Sequence, residues 1–461
     1  MKRALLCIAL TTLVAANPSF AKTKKPSTEA PAARQQLVPA PLRSDSAAPV
    51  PAHPSPYNFP GVQYPRIEED SRVTFQFKAP NAQKVQVAIA NVPYDMVKGD
   101  NGVWTYTSAP QAPGYHNYWM IVDGAVTLDP ATNAFIGYGH MCNGYEVPEP
   151  GVSFYDLKDV PHGDVRIKNY FSKTANGWRH IFVYTPPGYD KSTARYPVLY
   201  LQHGGGEDER VWIEMGRTNL ILDNLLAEGK VKPMIVVMET SALGAPLPGP
   251  GGPGAGAPRA PGAGPGAGPG AGPGGPGAGA PRGGGFPGMA AAGGAYGKLM
   301  VNDLIPWVDS NFRTVPDKDH RAMAGLSMGG FMTASVTFVN LDKFSYIGLL
   351  SGGTAAGFGA GGRGSPIPVN APPPPPATLD LKTIYSGAMA DPAKFDKTVK
   401  VFFFSCGTEP PLENPEALKK HQEQLIAAGI TNSYLYISPG TSHEWQTWRR
   451  SLYVFAPLLF R

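Results

Sequence analysis

Gly325-Leu326-Ser327-Met328-Gly329 is the stretch on which the reading of this chain turns. It fits the G-x-S-x-G nucleophile elbow, in which a serine on a tight strand-to-helix turn lifts its hydroxyl clear of a sheet edge. The flanks suit that geometry. Arg321-Ala322-Met323-Ala324 predicts a short buried strand, and Gly330-Phe331-Met332-Thr333-Ala334-Ser335-Val336 predicts the start of a helix. Small residues stand on both sides of the serine because so tight a turn has no room for bulk. A Gly-rich chain also produces this pattern by chance, so the serine's partners decide what it means.

With an elbow serine the expected chain order is serine, acid, histidine. Downstream of Ser327 stand His421 and His443. His421 lies in the polar helical stretch from Pro415 to Leu425 and reads as a solvated surface histidine. His443 follows the strand-like run Tyr434-Leu435-Tyr436-Ile437 and the loop Ser438-Pro439-Gly440-Thr441-Ser442, where the general base belongs. The acid is expected just after the preceding strand, Lys400 to Ser405, where its carboxylate can hold the useful histidine tautomer. Glu409 is the choice there and Glu413 the reserve, against the alternative that one or both are exposed loop charges. Two backbone N–H groups must then face the developing oxyanion. Met328, directly after the serine, offers one. Gly205, in the His-Gly-Gly-Gly loop Leu201-Gln202-His203-Gly204-Gly205-Gly206, offers the other, with His203 packing and orienting that loop. The histidines are scattered without metal-ligand spacing, and no nucleotide-binding glycine loop follows a strand, so neither a metal nor another cofactor is expected.

The chain has 461 residues, including 55 glycines and 50 prolines, so part of it cannot be packed core and two folded domains are expected. Lys2 and Arg3, the apolar run Ala4 to Ala16 and the small-x-small site Ser19-Phe20-Ala21 predict a secretory signal peptide over residues 1–21 and a periplasmic or extracellular location. The apolar run falls short of the ~20 residues that span a bilayer, so no membrane span is expected. Cys142 and Cys406 allow one disulfide but no disulfide framework. The net charge of +5 is spread thinly and gives no support for nucleic-acid binding. Residues 22–65 read as a disordered Pro/Ala-rich spacer. Residues 245–294, built on Gly-Pro-Gly-Ala units, and residues 354–376 read as low-complexity insertions. Between them, alternating runs over residues 66–155 predict an antiparallel β-sandwich. Strand-helix alternation over residues 164–461 predicts a largely parallel sheet covered on both faces.

Seven motifs in order carry a family resemblance: Tyr200 to Gly206; Trp212; Asp303-Leu304-Ile305-Pro306; Gly325 to Gly330; Phe344 to Gly348 with Ser351-Gly352-Gly353; Cys406-Gly407-Thr408-Glu409; and His443-Glu444-Trp445-Gln446-Thr447-Trp448-Arg449. They resemble the putative-esterase family, which includes carbohydrate esterase family one, the feruloyl and acetyl xylan esterases, and enterochelin esterases. The resemblance implies an α/β-hydrolase fold and cofactor-free ester hydrolysis. The upstream segment is similar to the immunoglobulin-like, early-set glycogen-binding β-sandwich often fused to such esterases. Trp104 and Tyr118 in it read as sandwich core before a sugar-stacking surface. Family members carry Asp right after Gly-x-Glu, where this chain has Pro410. The implied activity is a secreted serine esterase removing feruloyl or acetyl groups, with an esterified polysaccharide or oligosaccharide, or another small ester, as its partner. The alternatives are an enterochelin-type siderophore esterase and a non-catalytic carbohydrate-binding protein on a hydrolase fold.

Overall fold

The computed structural model describes residues 50–241, 287–354, 379–410 and 412–461. The expected signal peptide, the spacer up to residue 49 and most of both low-complexity insertions lie outside them.

Residues from 164 onward build one eight-stranded sheet. Its strands are β1 (Asp164–Ser172), β2 (Gly177–Thr185), β3 (Val198–Gln202), β4 (Ile235–Glu239), β5 (Arg321–Leu326), β6 (Tyr346–Leu350), β7 (Val401–Gly407) and β8 (Ser433–Ser438). The order across the sheet is β1-β2-β4-β3-β5-β6-β7-β8. The first two pairings, β1 with β2 and β2 with β4, are antiparallel and the other five parallel. Strands β3 to β7 are buried at every position, as strands covered on both faces must be. Because successive side chains point to opposite faces, neighbours in one strand serve different cores. Leu199 and Leu201 of β3 pack on one face with Trp212, Trp445, Trp448 and Phe455. Val198 and Tyr200 pack on the other with Tyr296, Leu299, Val336 and Phe344. The flanking helices include α1 (Thr218–Ala227), α2 (Met328–Thr337), α3 (Pro415–Ala427) and α4 (Trp445–Phe455). This is an α/β-hydrolase fold.

Residues 53–147 form two antiparallel sheets. Between them lies a common apolar core of Val73, Phe75 and Trp104 from one sheet and Val85, Val87, Tyr118, Met120 and Tyr145 from the other. Trp104 is 6% exposed and Tyr118 0%, so both are core residues and neither is open for stacking on a sugar.

Three expectations change. The spacer does not run to Pro65: His53–Pro54 pairs with Arg66–Ile67, and Tyr57 packs edge-on against Tyr115 and Phe135, a hydrophobic anchor that composition alone conceals. A helix, Pro287–Leu299, begins inside the stretch read as low-complexity. Cys142 and Cys406 are both free and buried, so no disulfide joins them.

The β-rich region is locked to α4 by buried charge. Glu146 accepts hydrogen bonds from Arg449 at 2.6 and 3.1 Å and from Arg217 at 3.2 Å, and Arg449 is fully buried. Burial alone pushes the Glu146 carboxyl up, but Arg449 and Arg217 outweigh it and hold the group below the usual carboxylate range. Glu149 accepts from Arg450 and Gln446 on the same helix. Removing one partner of such a pair strands the other charge in a dry interior. Glu146→Ala should therefore lower the unfolding free energy by about 3–5 kcal/mol in urea titration, and Glu146→Leu with Arg449→Met should recover part of that loss.

Candidate active site

The parallel strands deliver four loops to one edge of the sheet. β5 ends at Leu326, and Ser327 follows with φ 52° and ψ −117°, before α2 begins at Met328. That backbone state is strained for a residue with a Cβ and is held by its surroundings. The Ser327 N–H donates to Leu350 O at 2.7 Å and Ser327 O accepts from Gly330 N at 3.0 Å. A methyl at Gly325 would lie 2.4 Å from Gly329 O, and one at Gly329 would lie 2.4 Å from His203 O. Both glycines of the elbow are thus required by close backbone approach.

His443, on the loop between β8 and α4, places Nε2 2.9 Å from Ser327 Oγ. Its Nδ1 lies 2.9 Å from Glu413 Oε1. A carboxylate accepts, so Nδ1 carries the proton and Nε2 is left to take the one on the serine hydroxyl. The histidine side chain is 15% exposed and that of Glu413 3%, a site screened from water yet open at the serine. Trp448 of α4 meets the imidazole edge to face at 5.2 Å.

The structure brings Ser327 and His443 together but not Glu409. Glu409 is exposed and its carboxylate accepts from the adjacent Thr408 hydroxyl at 3.0 Å, while the reserve residue, Glu413, occupies the acid position. The physical reason lies one residue on. Asn414 caps α3 by accepting from Ala417 N, with Pro415 opening the helix, so Glu413 is anchored at a rigid helix start. The pair Asn414-Pro415 was the available sequence signal. His421 is not a surface histidine: it is buried, its Nε2 lies 2.9 Å from the Tyr385 hydroxyl, and burial pushes its pKa down to about 4.

His203 is buried as an orienting residue. Ser241 N donates to its Nε2 at 3.2 Å, so its Nδ1–H donates to Gly204 O at 2.8 Å, and burial lowers its pKa, favouring the neutral ring. Gly205 lies against Met328: a methyl there would be 3.9 Å from Met328 Cβ. The N–H groups of Gly205 and Met328 donate to nothing among the described residues, as donors reserved for an oxyanion must. Composition gave no hint of Glu207, whose Oε2 accepts from Gly204 N at 2.8 Å. Among the described residues, no group of three or more His, Cys, Asp or Glu side chains is placed to hold a metal, and no helix is long and apolar enough to cross a membrane.

The arrangement can activate a hydroxyl and stabilise a tetrahedral oxyanion. The family model Putative esterase matches residues 172–241 and 294–457, just over half of the chain. The chain is 34% identical to an endo-1,4-beta-xylanase/feruloyl esterase of Xylanibacter ruminicola over 417 residues, which cover 88% of this chain and 47% of that protein. It is 25% identical to endo-1,4-beta-xylanase Y of Acetivibrio thermocellus over 297 residues, 62% of this chain and 22% of that protein. The chain thus spans about half, or less, of these two relatives. Its fold is similar to that of the enterochelin esterase of Shigella flexneri, with a TM-score of 0.52 at 14% identity, covering 84% of this chain and 91% of that one.

Exchanging the two acid candidates separates their roles. Glu413→Gln should lower kcat on a chromogenic ester by about 10⁴, the loss seen when a triad acid can no longer hold the histidine tautomer, whereas Glu409→Gln should leave it within about twofold.

Proposed function

This chain belongs to the Putative esterase family, and from that premise we propose that it is a serine carboxylic-ester hydrolase that removes feruloyl or acetyl groups from plant polysaccharide. The relay Ser327–His443–Glu413, with both links at 2.9 Å, is the observation that carries the reading. Ser327 Oγ attacks the ester carbonyl while His443 Nε2 takes its proton, and Glu413 steadies the imidazolium that forms. The Gly205 and Met328 N–H groups receive the oxyanion. Collapse expels the alcohol, which takes the proton from His443 and leaves an acyl-serine. Water, activated by the same histidine, then releases the acid.

The polysaccharide ester is supported by the relative whose name combines a xylanase with a feruloyl esterase. The free oxyanion donors and the closed relay argue against a non-catalytic binding protein. The likeness to an enterochelin esterase, at 14% identity, bears on fold alone. Secretion through the leader over residues 1–21 and an immunoglobulin-like, early-set identity for the β-rich region belong to the same proposal.

Ser327→Ala should cut turnover of a chromogenic short-chain ester by about 10⁶ with thermal unfolding unchanged. Retained turnover would refute the mechanism. Methyl ferulate, acetylated xylan and a catecholate trilactone assayed side by side test the substrate: cleavage of the trilactone alone would overturn the polysaccharide assignment.

A further inference from the structure

We propose that Glu207 is a positioning residue of the oxyanion site: by accepting the Gly204 N–H, it fixes the loop in the orientation that leaves the Gly205 N–H free for the developing charge. The inference deepens the serine-hydrolase proposal and rests on it.

Three bonds pin the loop. His203 donates to Gly204 O, Gly204 N donates to Glu207 Oε2 at 2.8 Å, and Gly206 O accepts from Gly139 N at 2.9 Å. Gly139 belongs to the turn of the β-rich region between strands Ala134–Gly137 and His140–Val147, and that turn presses so close that a methyl on Gly206 would lie 2.6 Å from Gly139 N. Both backbone groups of Gly204 and the carbonyl of Gly206 are therefore engaged on either side of Gly205, whose N–H donates to nothing among the described residues. Glu207 is also near the chemistry. A methyl on Gly204 would lie 3.0 Å from Glu207 Oε2 and 3.5 Å from Ser327 Cβ, so carboxyl and nucleophile flank the same glycine.

The relay makes no use of this carboxyl, and among the described residues no ion pair joins it to a cation. Lost hydration raises it to about 8 against the opposing pull of the Gly204 N–H, with a smaller push from Asp208, although part of the residue reaches solvent. It is thus mostly neutral near neutral pH. Above about 8 it ionises, and a negative charge beside the site opposes the negative charge that forms there in the transition state. Other titratable groups near it are Asp208 and Cys142, His203 on the far side of Gly204, Tyr138 beside Gly206, and His443. Asp208 is engaged by Arg210. Cys142, from the strand His140–Val147, is pushed up to about 12, mainly by burial, and stays protonated across this window. His443 stands across Ser327.

Steady-state kinetics of the full chain on a chromogenic ester, from neutral to strongly alkaline pH, test this. Glu207→Ala should lower kcat about tenfold with KM little changed, since one oxyanion donor is loosened and not removed. Glu207→Gln keeps an acceptor for the Gly204 N–H, so it should recover most of that loss. It should also shift the alkaline limb upward and leave the acidic limb in place. A wild-type alkaline limb in Glu207→Gln, or wild-type kcat in Glu207→Ala, would overturn the proposal. Should Glu207→Ala fail to fold, the Glu207→Gln profile decides alone. If Ser327→Ala remains active, the hydrolase mechanism fails instead, whatever Glu207 does.

Discussion

The buried pair of Glu146 and Arg449 is the constraint on which the molecule depends. Arg449 lies on α4, the helix that begins directly after the His443 loop, and its guanidinium also donates to Met215 O at 2.6 and 2.8 Å. Glu146 comes from the β-rich region, and its second oxygen also takes Arg217 and the Tyr57 hydroxyl. Desolvating two charges costs several kcal/mol each, recovered only when geometry is good and the remaining donors are satisfied. Here the fork is bidentate and each polar group of the pair has a partner. A sliding or hinged β-rich region would expose that cost at once, so it is held as part of the structure that carries the base.

Against that fixed frame the sheet does the convergence. β3 leads into the oxyanion loop, β5 into Ser327, β7 into the Glu413 segment and β8 into the His443 loop. All four are parallel neighbours or near neighbours, so their carboxyl ends open at one edge, where ligands bind in sheets of this kind. The elbow needs the tightest packing because its serine sits at φ 52°. Contacts within the turn cannot hold that state by themselves. The backbone of Leu350, the oxyanion loop and the first turn of α2 close around it, and glycine is required at Gly325 and Gly329, where backbone meets backbone most closely.

Much of this was legible in the chain. The serine, the late histidine and the His-Gly-Gly-Gly loop are local patterns: each is set by the turn or strand end that carries it, so neighbours in sequence suffice to find them. The acid was less so. Glu409 and Glu413 are both glutamates in one Pro-rich loop, and what separates them is the Asn414 cap that anchors the second. His421 misled for another reason. Its helix is polar in composition, but Leu418, His421, Gln422 and Leu425 form the buried stripe, and Tyr385, well before α3 in the chain, covers the imidazole. Contacts between distant segments leave no trace in local pattern. The same holds for Tyr57, which orders a stretch whose composition reads as spacer.

The oxyanion loop shows how these levels meet. A glycine-rich loop is entropically costly to order, and its freedom is what allows two successive peptides to turn their N–H groups in different directions. Catalysis requires that one direction be chosen before the substrate arrives, because a donor that must reorient during the reaction gives back the stabilisation it provides. In this chain the choice is made by a buried imidazole from beneath, a carboxyl from the loop's own far end and a turn of the β-rich region from outside. Two of those three restraints come from the hydrolase fold itself. The third is held in place by Glu146 and Arg449, so the pair that docks the β-rich region also bears on where the oxyanion is received.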